Sequence, residues 1–286
     1  MTDYKHFIVK IFFPFAFGLI LIGVLSIVSI LYLHDNYITE KTEENIEKTF
    51  NVFDSKIKHN YKMFIGLLGL LEKDQNIIKS FEAKNINSLY ENSKNMYELY
   101  KKNFNVYSFA FYDEKMNILL RVDDPSENLK NPYTHHLNTL ANKEGVTREI
   151  GLDINDNLTL KVLKPFKIDS KIVGYVELTE NIEYMVASMS KILKSEIFIA
   201  IDKKNRRYST QRSVNEIHNI TETNKYFIKN LPMDYLPLKL KEKIDSTQQF
   251  KKIYIKYNDT KYYSNYFLLK NNANHVIGKF ISLTDV

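Results

Sequence analysis

Residues Ile11 to Leu33, IFFPFAFGLILIGVLSIVSILYL, form an apolar run without a charged side chain. One helix of about 20 residues crosses a bilayer core of roughly 30 Å. The run is too long, and too apolar all round, for a core helix with one wet face. A secretory signal has a shorter apolar region and a small-x-small cleavage site, and neither is present here. An uncleaved membrane anchor is therefore expected. Lys5 and Lys10 precede it, and Asp35, Glu40, Glu43 and Glu44 follow. That asymmetry places residues 1–10 in the cytoplasm and 34–286 outside the inner (cytoplasmic) membrane, crossed once. Tyr32 and Tyr37 suit the outer interface, and Pro14 lies near the start of the span, where a helix tolerates it.

Beyond the span the pattern becomes amphipathic. Ile46, Phe50, Phe53, Ile57, Tyr61, Phe64, Leu68 and Leu71 recur every three or four residues between Glu, Lys and Asn. This spacing predicts a long helix with one apolar stripe, continuing the anchor as a stalk, packing on a domain, or both. Gly66 and Gly69 weaken its upper end. A second helix is predicted over Ile86–Lys102, with Leu89, Met96, Leu99 and Tyr100 toward one side.

The period then changes to two. Strands are predicted at Val106–Tyr112 and Ile118–Val122, joined by a hairpin at 113–117. Residues 123–133, with two prolines, form a loop, and 135–142 a short helix. Strands at 145–152, 158–166 and 172–178 and a helix at 181–194 follow. A second, similar cycle has a strand at 196–201, an irregular stretch at 214–230, and strands at 249–257, 261–270 and 276–284. Consecutive antiparallel strands with helices to one side give an α+β class. No Gly-rich strand–helix turn is present to hold a nucleotide, and no cofactor is expected.

Composition narrows the function further. The chain has 286 residues, no Cys and a formal net charge of +6. Without Cys there is no disulfide, thiol nucleophile or thiolate metal site. The Lys residues are dispersed among acids and Asn, unlike the clustered basic face that nucleic acid demands. No nucleophile elbow, His-Glu-x-x-His or defensible carboxylate pair is found, so no enzyme is expected. His135 and His136 point about 100° apart on a helix and chelate poorly together, so no metal site is expected. Asn157-Leu-Thr and Asn258-Asp-Thr match glycosylation acceptors, a pattern common by chance in an Asn-rich chain.

Three strings, Leu120-Arg121-Val122-Asp123-Asp124-Pro125, Leu160-Lys161-Val162-Leu163-Lys164-Pro165-Phe166 and Val173-Gly174-Tyr175-Val176-Glu177-Leu178, carry a resemblance, as does the closing Val276–Asp285 strand. In this order, behind an anchor and a long helix, they resemble the double Cache sensor domain of bacterial chemoreceptors, sensor histidine kinases and diguanylate cyclases. The resemblance spans residues 34–286. It implies helices over 34–103 and two PAS-like antiparallel-sheet modules in tandem, membrane-distal over 104–190 and membrane-proximal over 191–286. The sequence departs from the family pattern where Asp123 stands for a frequent His and Lys161 for a frequent Arg. A lysine is a point charge, whereas arginine grips a carboxylate as a fork.

In such a module a small ligand lies on the concave sheet face under covering loops. The candidate contacts are Arg121, Tyr107, Tyr112, Asp123, Tyr133, Lys161 and Glu177. Arg121 either meets a ligand or forms a salt bridge to Asp123, Asp124 or Glu177. Glu177 either receives a ligand ammonium or pairs with Arg121. The tyrosines either line the pocket or fill the core, and Lys161 is either a contact or solvated. The function implied is small-molecule sensing for a transmembrane receptor whose output domain is absent from this chain, as in a fragment. A homodimer is expected, with Ile46–Ile57 as a possible seam. The alternative is a membrane-anchored envelope protein whose outer part binds another protein.

Overall fold

A computed structural model describes residues 13–126, 141–143, 145–153, 156–205, 221–231, 237–246, 253–257 and 259–285. The first helix, α1 (Phe13–Leu71), is unbroken over 59 residues. At 1.5 Å per residue that is roughly 90 Å. Its lower turns are long and apolar enough to cross a membrane and bury nothing against the rest of the protein. Its upper turns bury Phe53, Ile57, Phe64, Leu67, Leu68 and Leu71, and Gly66 and Gly69 do not interrupt it.

The stripe deviates lower down. Ile38, Thr42 and Thr49 are buried there, whereas Phe50 is exposed except for an edge contact on Phe267. Asn45 donates to the hydroxyls of Ser195 and Thr284, so a polar row faces the strand ends. The expected seam over Ile46–Ile57 needs the same correction, because Phe53 and Ile57 lie inside the chain's own core.

Two further helices follow α1. The first, α2 (Gln75–Glu82), was not foreseen; Asp74 caps it by accepting from the amides of Asn76 and Ile77. The second, α3 (Ile86–Phe104), is capped by Asn85 and ends on Asn105 in the left-handed region.

The first sheet contains β1 (Val106–Tyr112), β2 (Ile118–Arg121), β3 (Thr147–Leu152), β4 (Leu158–Ile168) and β5 (Lys171–Asn181), in the order β2-β1-β5-β4-β3. Helix α4 (Ile182–Leu193), capped by Asn181, leads into the second sheet. That sheet contains β6 (Glu196–Asp202), β7 (Thr221–Glu222), β8 (Tyr226–Lys229), β9 (Ile253–Tyr257), β10 (Thr260–Lys270) and β11 (Val276–Asp285), in the order β7-β8-β6-β11-β10-β9. All strand pairs are antiparallel, so the architecture is α+β as expected.

The stretch 214–230 expected to be irregular thus carries β7 and β8. They are only two and four residues long, too short for an alternating pattern to register. Helix α5 (Leu238–Asp245) was also missed, because LKLKEKID offers few apolar positions.

Both sheets turn one face toward α1, and one continuous core runs between them. It joins Phe64, Leu68, Phe81, Phe109, Phe111, Val162 and Val176 to Ile199 and Phe280. In each sheet the last strand, β5 or β11, lies next to the first, β1 or β6. Gly174 of β5 is required by close approach, since a Cβ there would sit 2.2 Å from the Tyr112 carbonyl oxygen and 2.6 Å from the Phe81 ring. Pro165 sits in β4 beyond the last residue pair with β3, where its missing N–H costs no ladder bond on that side.

Candidate ligand-binding face

Directly opposed residues in an antiparallel sheet share a face. The register of the first sheet therefore assembles three rows on the side away from α1. One row is Arg121, Ala110, Glu177, Leu163 and Thr147; the next is Ser108, Thr179, Lys161 and Glu149. The third contains Tyr112, Tyr175 and Pro165. Five of the seven expected contacts, Arg121, Tyr112, Asp123, Lys161 and Glu177, are thereby gathered on or beside one surface.

Asp123 is a clamp. Its Oδ1 accepts from Ser108 Oγ at 2.7 Å and from the Phe109 amide at 3.0 Å, while its Oδ2 receives the Arg121 guanidinium. Arg121 forms an ion pair with Asp123, one of the partners considered for it, and the pair fastens the end of β2 to β1. Asp124 instead accepts from the Ser126 amide and hydroxyl.

Glu177 lies at the centre. It is 5 % exposed; Oε1 accepts from Thr179 Oγ1 at 3.2 Å, and Oε2 has no hydrogen-bond partner among the described residues. Burial pushes its carboxyl above the usual range, and the charge of Lys161 works the other way. Lys161 is half-buried, opposite both Glu149 and Thr179. Glu149 is buried on the same face and was missed, although its place opposite Lys161 in two foreseen strands was the available signal.

Tyr112 and Tyr175 pack with Ala110, Met116, Ala141 and Leu163 in a small cluster on this face, and the Tyr175 hydroxyl donates to Asn142 Oδ1 at 2.8 Å. Tyr107 stands apart. It lies where the β1–β5 register shifts, and its hydroxyl accepts from Asn157 Nδ2 at 3.4 Å. Tyr133, His135 and His136 lie outside the described residues.

The far face of the second sheet is arranged differently. Helix α5 closes it, with Leu240 and Ile244 packed among Phe198, Ile228, Ile255 and Ile281. Lys279 is buried there at 4 % exposure. Its Nζ donates to the carbonyls of Ile244 at 2.7 Å and Ser246 at 3.1 Å, at the carboxyl end of α5. The rings of Tyr226 and Tyr266 stand 5.1 and 4.9 Å away. Burial lowers the pKa of this amine.

Residues 39–285 match the family model described as the double sensory domain of two-component sensor kinases. The chain belongs to that family. The match begins just above the apolar segment and takes in both sheets. No curated protein sequence matches the chain. Solved structures similar to this double sensory domain include the periplasmic domain of Vibrio cholerae LuxQ, at 12 % identity, 87 % coverage of this chain, 100 % of that one and a TM-score of 0.49. The sensor domain of the V. cholerae histidine kinase DctB follows at 10 %, 84 %, 95 % and 0.46. The ligand-binding domain of Campylobacter jejuni chemoreceptor Tlp3, solved with 4-methylisoleucine, gives 14 %, 86 %, 92 % and 0.46. The family is sensory rather than catalytic.

Proposed function

We propose that this chain is the extracytoplasmic sensing region of a transmembrane signalling receptor, anchored by its apolar helix, with a small molecule bound on the far face of the first sheet. In this reading residues 104–190 form the membrane-distal module and 191–286 the proximal one. The observation that carries it is Glu177. A buried carboxylate oxygen without a partner costs several kcal/mol unless something pairs with it. Among the described residues the second sheet has no unpartnered buried carboxylate; its unpartnered buried oxygens are the hydroxyls of Ser264 and Ser282, and α5 and Lys279 cover its far face.

The same strand offers a route out. β5 presents Glu177 to the ligand face, while Glu180 on its other side accepts from Asn60 Nδ2 of α1 at 2.7 Å. From β4, Lys164 pairs with Glu72 just above α1. A ligand that binds one setting of β5 better than another shifts the population of α1 positions by that difference in affinity. The polar contact of Asn45 with Ser195 and Thr284 lets the lower helix change register at less cost than an interlocked apolar seam. A homodimer gives the displaced helix a partner to move against.

The test is a circular-dichroism melting screen of the full chain in detergent against metabolite classes. Binding to the folded state raises the melting temperature by mass action. A saturable rise lost in Glu177→Gln supports the proposal. A folded protein that responds to no class overturns it in favour of a membrane-anchored envelope protein that binds another protein.

A further inference from the structure

We propose that the junction between the two sheets holds a second binding site, which takes a small oxyanion, a carboxylate or phosphate group, gripped by Arg148 and Lys270. The site is separate from the face that carries Glu177 and does not depend on what binds there.

It is a cleft of about 430 Å³ between Tyr61 of α1, the edge strand β3 and the turn that joins β10 to β11. That volume suits a small ligand. Arg148 and Ile150 oppose Val162 and Leu160 of the core, so they lie on the α1 side of β3, whereas Glu149 belongs to the far face. The half-buried Arg148 guanidinium stands 5.1 Å over the Tyr61 ring. An aromatic face holds a guanidinium without consuming its N–H donors. No hydrogen bond or ion pair engages the Arg148 side chain among the described residues. A planar fork held in place with its donors unspent is prepared for a bidentate oxyanion.

The second sheet supplies the other wall. Lys270 ends β10 without an ion-pair partner among the described residues and adds a point charge. The turn beyond it is fixed: the Asn271 amide donates to the His275 carbonyl at 2.9 Å, and the Asn274 amide to the Asn271 carbonyl at 2.9 Å. Asn271 Oδ1 accepts from the His275 amide at 2.9 Å, which leaves the carboxamide NH2 of Asn271 to donate into the cleft it lines. No carboxylate lines the cleft among the described residues, and on α1 Asp54 is paired with Lys58. Two cations in one cleft repel each other, and an oxyanion between them turns that repulsion into attraction. Bound there, it braces the edge of the first sheet and α1 against the turn of the second sheet.

The experiment is isothermal titration of the full chain in detergent, at low chloride, with inorganic phosphate and with succinate. Saturable binding of at least one is expected, weakened on the order of 10-fold by Arg148→Gln and by Lys270→Gln. Arg148→Lys keeps the charge and loses the fork, and should recover only part of the affinity. Lys161→Gln, on the far face of the first sheet, should leave binding unchanged. Binding of one anion alone supports the site and identifies the recognised group as phosphate or carboxylate. No saturable binding of either anion overturns the proposal, as does binding untouched by Lys270→Gln, an exposed change at a strand end. Binding lost in Lys161→Gln puts the anion on the far face and overturns it too. None of these failures bears on sensing at Glu177.

Discussion

The two far faces pose the same physical problem and solve it in opposite ways. Each has an ionisable side chain on its final strand, flanked by Ala and Leu, buried away from water. Lys279 is satisfied internally, by two carbonyls at the end of α5 and two tyrosine rings. Glu177 Oε1 accepts from the Thr179 hydroxyl, and Oε2 has no hydrogen-bond partner among the described residues. A fold repeated within one chain can thus be closed in one copy by a lysine and a short helix, and in the other retain a buried carboxylate whose Oε2 has no hydrogen-bond partner among the described residues.

The comparison breaks most visibly at Lys279. Lys279→Met strips two buried carbonyls of their donor, and a loss of about 3 kcal/mol is expected, read as a lower urea midpoint. An unchanged midpoint would mean that the second face is not closed by its lysine. Asp123→Asn weakens the clamp on Ser108, Phe109 and Arg121, with an expected loss of about 2 kcal/mol by the same measurement. Glu177→Gln should do the reverse of Lys279→Met. It removes a desolvated charge, so a stability gain of up to about 1 kcal/mol is expected in ligand-free protein. A loss comparable to that of Lys279→Met would show that the carboxylate is satisfied after all.

The smallest effect is in pH dependence, and it too has opposite signs. The Glu177 pKa is raised in the folded state, so the native protein holds more protons than the unfolded chain above the ordinary value of 4.5. Its contribution is therefore present at low pH and lost as pH rises through the folded pKa. Glu180 is raised as well, so Glu177→Gln should flatten the slope only in part. The Lys279 pKa is lowered, so the native protein holds fewer protons below 10.5, and stability should rise as pH climbs from its folded value toward that figure. Urea midpoints of Lys279→Met across the alkaline range should lose this rise.

Much of this was legible in the sequence, where local pattern carries the information. The strand Val106–Tyr112 was foreseen to the residue, because alternation and a hairpin flank it. Glu177, an acid within an apolar strand, and Arg121 beside two aspartates were visible as candidates. Lys279 was not, since a lysine in an alternating strand reads as solvated until α5 closes over it, and α5 carries too few apolar residues to declare itself. The row of buried Thr42 and Thr49 and half-buried Asn45 was missed for a related reason. Polar helix positions read as exposed; Thr42 and Thr49 instead donate to the helix carbonyls of Ile38 and Asn45, and Asn45 finds partners in Ser195 and Thr284. Tyr107 was drawn in by its type and its strand, but it lies at the register shift, away from the three rows.

The most direct measurement is amide hydrogen exchange of the full chain in detergent, with and without the metabolite giving the largest melting shift. Slower exchange is expected in β1 and β5 and in α1 near Asn60, with β6 and β11 around Lys279 unchanged. Protection centred on β6 and β11, with β1 and β5 unaffected, would contradict the assignment of ligand binding to the face that carries Glu177.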